Sequence, residues 1–247
     1  MTISPDEVIW QWGPLVLNRT ILFTWLVMGL LVLVSWIVTR RLTSSASMTR
    51  GQNLLEVLVT GLRNQIREVS QQEPGSYLPF IGTLFLFIVV SNILAMIPGY
   101  VAPTSSLSTT AALATCVFVA VPIYGIRNQG VRSYLKQYIS PSPLMLPFNI
   151  IGELSRTLAM AVRLYGNMMS GTVIVAILIG FVPLFVPVLM QVFGLLTGVI
   201  QAYIFAVLAM VYIASATEAK QNLAENNIEQ KLNSESSSTD HEQTQNK

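Results

Sequence analysis

The chain has 247 residues, of which 52% are hydrophobic and only 11% charged, and its mean hydropathy is +0.58. Soluble domains carry about 25% charged residues, so a soluble globular chain is excluded, and a net charge of +2 is too small for a nucleic-acid binder. Several apolar runs exceed the roughly 18 residues that mark a membrane span, and they are continuous rather than alternating, which selects an all-α membrane protein over a β-barrel.

Asp6 and Glu7 precede the first apolar run, where a cleavable signal would carry Lys or Arg. The first span is expected from Ile21 to Val38, followed by Arg40, Arg41 and Arg50. The positive-inside rule then places the N-terminus outside and the Arg40 side in the cytoplasm, with Trp10, Trp12 and Trp36 at the interfaces. From Gln52 to Ser70, apolar residues at 54, 55, 58, 62, 66 and 69 keep helical spacing, with charges at 56, 63, 67 and 68, the pattern of an amphipathic helix on the cytoplasmic interface. A second span is expected from Leu78 to Ile97, ended outside by Pro98-Gly99, and a third from Thr109 to Tyr124 after the uncharged loop 102–110. Arg127, Arg132 and Lys136 follow it, so that loop is again cytoplasmic. Cys116, the only cysteine, reads as a small buried hydrophobe, and a lone cysteine excludes a disulfide or a Cys-based metal site within one chain.

From Leu144 to Thr217 only Glu153, Arg156 and Arg163 are charged, and Pro183 and Pro187 divide the stretch into segments 147–181 and Val188–Thr217. The first is on the order of 50 Å long as a helix, against a hydrocarbon core about 30 Å thick. It is expected to lie strongly tilted, paired with the second as a helical hairpin, giving about five transmembrane or intramembrane helices in an integral domain of residues 1–217. The tail 218–247, rich in Gln, Asn, Ser and Glu, is expected to be disordered and cytoplasmic, and carries the only histidine, His241.

Glu153, Arg156, Met160, Arg163, Asn167 and Ser170 are spaced 3, 4, 3, 4, 3 along the first segment and fall on one helical face. An arginine keeps its charge at physiological pH, and burying one in hydrocarbon is costly, so this face is expected to look into protein or water-filled space. Glu153 and Arg156 are equally readable as a local pair. Arg163 has no acidic neighbour in sequence, and its partner is expected from elsewhere in the chain or from another subunit. On the second segment Gly194, Gly198, Gln201, Phe205, Leu208, Tyr212 and Ser215 share a face. The glycines suit close helix packing, and Gln201 is placed to hydrogen-bond across the hairpin and help position Arg163.

At "RLYGN" (163–167), "IQAYIFAVLAMVYIA" (200–214), "SNILAMIPGY" (91–100) and "TSSLSTTAALA" (104–114), in that family's order over roughly residues 78 to 217, the chain resembles subunit a, the stator channel subunit of the membrane sector of rotary F-type ATP synthases. The resemblance implies a subunit that faces a ring of c subunits, each with a mid-membrane carboxylate, in a complex with b-type peripheral stalk subunits and the rest of the synthase. It implies that Arg163 faces the rotor carboxylate, with Gln201 its neighbour and Asn167 on the ion path, and that two offset half-channels lead there from opposite sides. Many members carry an acidic residue or His where this chain has Thr172 or Gly194, and some an acid where it has Ala95, so the second half-channel is expected to be lined differently, through Glu153 and Arg156 with Ser170 on the same face. "ELSRTLAMAVRLYGNMMSG" looks most like the N-type ATPase branch, some of whose members are thought to move sodium ions, so the ion is a proton or, alternatively, sodium. No cofactor is expected, since no phosphate-binding Gly-Lys loop is found. The expected site is an energy-coupling membrane, a bacterial plasma or inner membrane first and a thylakoid second. The competing classes are a small secondary transporter using Arg163 to bind an anionic substrate, and a scaffold with no ion path.

Overall fold

The computed structural model describes residues 8–12, 15–40, 50–70, 77–97, 99–131, 145–180 and 187–216. It is an all-α membrane protein of six helices among those residues, preceded by a short antiparallel hairpin, β1 (Val8–Trp12) and β2 (Leu15–Asn18), that the pattern of apolar runs does not reveal. β-branched and aromatic residues on both sides of Gly13-Pro14 carry its signal. The tail 218–247 and its His241 lie outside the described residues.

Helix α1 (Arg19–Arg40) is the first span, and its apolar side chains from Leu22 to Ile37 are mostly exposed, as lipid-facing residues are. The amphipathic helix α2 (Arg50–Ser70) turns Ile66 into the core and leaves Glu56, Arg63, Arg67 and Glu68 exposed. Helix α3 (Leu78–Leu94) stops three residues short of the expected Ile97, and a turn completes the stretch. Pro98 accounts for this, because a proline disfavours helical backbone in the residue before it. A single 3-10 turn (Pro103–Ser105) leads into α4 (Leu107–Gln129), which outruns its expected end at Tyr124 and carries Arg127 in its last turn. Cys116 departs from its expected burial and is exposed on α4. In a membrane span the outward face is apolar too, so an apolar neighbourhood in sequence does not distinguish core from lipid.

The long segments form α5 (Met145–Ile179) and α6 (Pro187–Ala216). Three contacts set their course. Arg156 meets Tyr212, Asn167 meets Thr197, and Met168 reaches Gly198, so later residues of one helix meet earlier residues of the other. The pair is the expected antiparallel hairpin. Helix α6 is its inner member, with Ala202, Phe205, Ala206, Ala209, Met210 and Ile213 nearly or wholly buried. Three of these are alanines, and small residues let helix backbones approach where lipid supplies no hydrophobic drive. Met160, Ala161 and Leu164 of α5 complete that core, together with Ile81 and Ile88 of α3 and Val117 of α4. The molecule is an integral membrane protein, with four helices among the described residues long and apolar enough to cross a membrane and a shorter apolar one, α3.

Candidate functional site

Met160 is only 2% exposed, whereas Arg156, Arg163 and Ser170, seven residues apart, are exposed. The six-residue stripe is therefore split. Its outer edge carries Arg156, Arg163 and Ser170, its inner edge meets the core at Met160, and Glu153 and Asn167 are half-buried. A 3-4 spacing spans a wide arc of a helix, enough to include both a core-facing and an outward-facing line. Arg163 stands on the open surface of α5, among exposed Leu158, Ala159, Val162 and Gly166.

Two cavities flank it along α5. The first, about 450 Å³, lies toward the end where α1 begins and α3 finishes. Its α5 lining starts at Asn167, one turn past Arg163, and includes Thr172; α6 contributes Gln191, Gly194 and Thr197. The second, about 410 Å³, lies between the middle of α4, the start of α5 and the end of α6, and is lined by Glu153, Arg156, Tyr212 and Ser215. Its α5 lining ends at Thr157, so Arg163 falls in the interval between the two cavities.

At the rim of the first cavity Arg19 donates through Nη2 to the Gly99 carbonyl at 2.9 Å, and its guanidinium lies 5.9 Å from the Phe23 ring centroid. Phe23 meets Tyr100 edge-to-face at 4.7 Å. Gly99 has φ +90°, a backbone that favours glycine, and so can turn its carbonyl toward α1. Tyr100, in the connection outside the spans, has its phenol pushed up to about 12 by burial, with the Ser91 hydroxyl pulling partly the other way, so it stays neutral at physiological pH. Deeper in, Asn167 donates Nδ2 to the Thr197 carbonyl at 3.3 Å. Thr172 and Thr197 return their hydroxyl protons to the carbonyls of Met168 and Gly194. Their oxygens keep lone pairs that can accept from water, a common way for hydroxyls to sit in membrane helices.

Asn92, which the helical stripes do not single out, lines this cavity at 3% exposure. Its Oδ1 accepts from Thr104 Oγ1 at 3.4 Å, and its Nδ2 is buried without a partner among the described residues. Such an unsatisfied donor costs about 1–3 kcal/mol. A signal for it is present in the chain: Ser91-Asn92 stands as a polar pair in a mostly apolar span.

In the second cavity the Arg156 guanidinium lies 5.8 Å from the Tyr212 ring centroid, which ties α5 to α6. Gln201 is 7% exposed and buried against the core, and no hydrogen bond joins it to Arg163 among the described residues. The expected bridge between them is absent, because Arg163 points out of the hairpin while Gln201 points in.

An integral helical bundle with an outward arginine between two cavities that carry polar groups in their linings has the features of an ion-conducting subunit. Residues 21–214 match the family described as ATP synthase A chain. The chain is 63% identical over 223 residues to ATP synthase subunit a 2 of Acaryochloris marina, covering 90% of this chain and 95% of that protein. It is 58% identical over 222 residues to ATP synthase subunit a 1 of Crocosphaera subtropica, covering 90% and 96%, and 55% identical over 222 residues to ATP synthase subunit a of Albidiferax ferrireducens, again covering 90% and 96%. The chain belongs to the ATP synthase A chain family.

Proposed function

We propose that this chain is the stator channel subunit of a rotary F-type ATP synthase, passing protons through two offset half-channels to and from the carboxylates of a c-ring. The placement of Arg163, exposed on α5 in the interval between the two cavities, carries the reading. The first cavity serves as the outer half-channel and the second, with Glu153, Arg156 and Ser215, as the inner one. The outward surface of α5 around Arg163 is the face that meets the ring. The b-type peripheral stalk holds the subunit still, the N-terminus lies outside, and the membrane is a bacterial plasma or inner membrane.

The chemistry follows from charge. A rotor carboxylate crossing lipid must be neutral, and to release its proton toward a channel it must ionise. An opposite charge within about 4 Å is worth about 4 kcal/mol at an effective dielectric near 20, equivalent to about three pKa units before desolvation is subtracted. A guanidinium supplies that charge permanently, where a buried lysine can lose its proton. The same charge repels a cation taking the direct route between the cavities, so the proton travels around on the ring. Each charge that crosses is worth about 2.3 kcal/mol per 100 mV, and that work turns the rotor. Asn167 keeps the outer path polar beside Arg163, Ser170 lies on the exposed line of α5 with Arg163, and Gln201 supports the core-facing side of the hairpin at the same level.

Arg163→Ala is expected to leave the complex assembled and to slow gradient-driven ATP synthesis by about a thousandfold, the rate equivalent of 4 kcal/mol. Synthesis at the parent rate by an assembled Arg163→Ala complex would overturn the proposal.

A further inference from the structure

Arg19 and Arg40 stand at the two ends of α1, and the fold treats them differently. Arg19 turns into the protein, where it donates to the Gly99 carbonyl and packs on Phe23. Arg40 is exposed, and its described contact is the Trp36 ring, over which the guanidinium lies 4.9 Å from the centroid. An aromatic ring steadies a guanidinium through its flat face and offers no oxygen to its N–H donors. Those donors form a planar fork that matches a phosphate. Arg41 and Arg50 follow in the chain and add to the positive charge that draws an anionic membrane surface.

From Arg40, steps of 4, 4, 3 and 4 residues lead along one face of α1 through Trp36, Val32 and Gly29 to Trp25. Trp36 is 58% exposed, Val32 69% and Trp25 63%, and Gly29 is exposed between them. A side chain at Gly29 would meet nothing within 4 Å. The glycine is therefore a notch in the outward face, walled by Trp25 on one side and Val32 on the other. It lies about 16 Å along the axis from Arg40, close to the depth of one leaflet of a hydrocarbon core about 30 Å thick. A phosphate held at Arg40 thus brings the end of its acyl chain to Gly29.

We propose that the outward face of α1 from Arg40 to Gly29 binds an anionic phospholipid, with the phosphodiester on the Arg40–Trp36 pair and one acyl chain laid past Val32 into the Gly29 notch. Charge selects the headgroup. A phosphatidylglycerol keeps the full negative charge of its phosphate, whereas a phosphatidylcholine carries its own ammonium beside it. The face belongs to a different helix from Arg163 and lines neither cavity, so this site is separate from the proposed ion path.

The test uses the whole complex in phosphatidylcholine vesicles that contain a small fraction of photoreactive phosphatidylglycerol, with a diazirine at the end of one acyl chain. Labelled peptides are located by mass spectrometry. Label is expected on α1 between Trp25 and Val32, at about five times the yield given by a phosphatidylcholine probe with the same chains, the scale of one arginine at an anionic headgroup. Arg40→Gln is expected to bring the phosphatidylglycerol yield down to that of phosphatidylcholine. Gly29→Leu fills the notch and is expected to keep the preference while moving the label off that stretch. Equal labelling of the parent by the two probes overturns the inference. So does an undiminished preference in Arg40→Gln, or a label left in place by Gly29→Leu. Label absent from α1 and found on a neighbouring subunit would mean that a protein helix covers this face, and overturns it too. Should the variants fail to assemble, the two-probe comparison on the parent complex decides alone.

Discussion

The two cavities are close in size, about 450 and 410 Å³, and opposite in character. The first is lined mostly by apolar side chains, four of them methionines, with amides and hydroxyls among them, and the one charge among its described lining residues, Arg19, is pinned at the rim to Gly99. The second holds a carboxylate and a guanidinium, Glu153 and Arg156, one turn apart at the start of α5. The contrast has a physical source. A charge near a helix end can reach interfacial water, whereas one deep in the bundle must bring its own partner. On the proposed reading, the inner cavity offers the proton path a carboxylate, while the outer one offers only neutral groups and the pinned Arg19.

The sharpest way to break that contrast is to remove the inner carboxylate. Glu153→Gln is expected to slow gradient-driven synthesis by about a hundredfold, the lower end of what a positioned proton-transfer group contributes, with the complex intact. An unchanged rate would mean that water alone serves both cavities, and the distinction between them would disappear.

The converse change gives the outer cavity a group that titrates. Thr172 is exposed, and its hydroxyl only returns to its own helix, so a longer side chain there reaches the cavity without disturbing a tertiary bond. Thr172→Glu is expected to add an inflection in the rate against outer pH that the parent lacks. Below the inflection the carboxyl is neutral and the rate is parental. Above it the negative charge concentrates cations in the cavity, and the rate rises by about threefold, a modest steering effect. A profile that matches the parent at every outer pH would place residue 172 off the path.

These regions are unequally legible in the sequence. The spans, the amphipathic α2 and the α5–α6 pair follow from apolar run length, charge placement and the prolines at 183 and 187, because the bilayer imposes simple rules on chain composition. Within the site, the residues on one helix are readable and the relations between helices are not. Periodicity puts Met160 and Arg163 on one face, but a helix alone does not reveal which line of that face another helix covers, and the core takes Met160. The same limit makes Gln201 look like a partner for Arg163, when burial turns the two apart. Asn92 escapes notice because its meaning lies in Gly198 and Thr104, residues of other elements. The N-terminal hairpin escapes for a different reason: its strands are four and five residues long, too short to register beside the helical runs.

The smallest expected effect concerns how the inner cavity holds its shape. Arg156 is exposed, and its described contact across the hairpin is the Tyr212 ring at 5.8 Å. A cation over an aromatic face at an exposed site is worth about 0.5–1 kcal/mol. If that contact sets the spacing of α5 and α6 beside Glu153, losing either partner should cost about twofold to fivefold in synthesis, the rate equivalent of that energy. Losing the second partner should then add little, which a double-mutant cycle of Arg156→Ala and Tyr212→Leu measures directly. Strictly additive losses would mean that the guanidinium acts through its charge at the cavity mouth, with the ring merely adjacent, and the inner path would then be tuned electrostatically rather than by the packing of the hairpin.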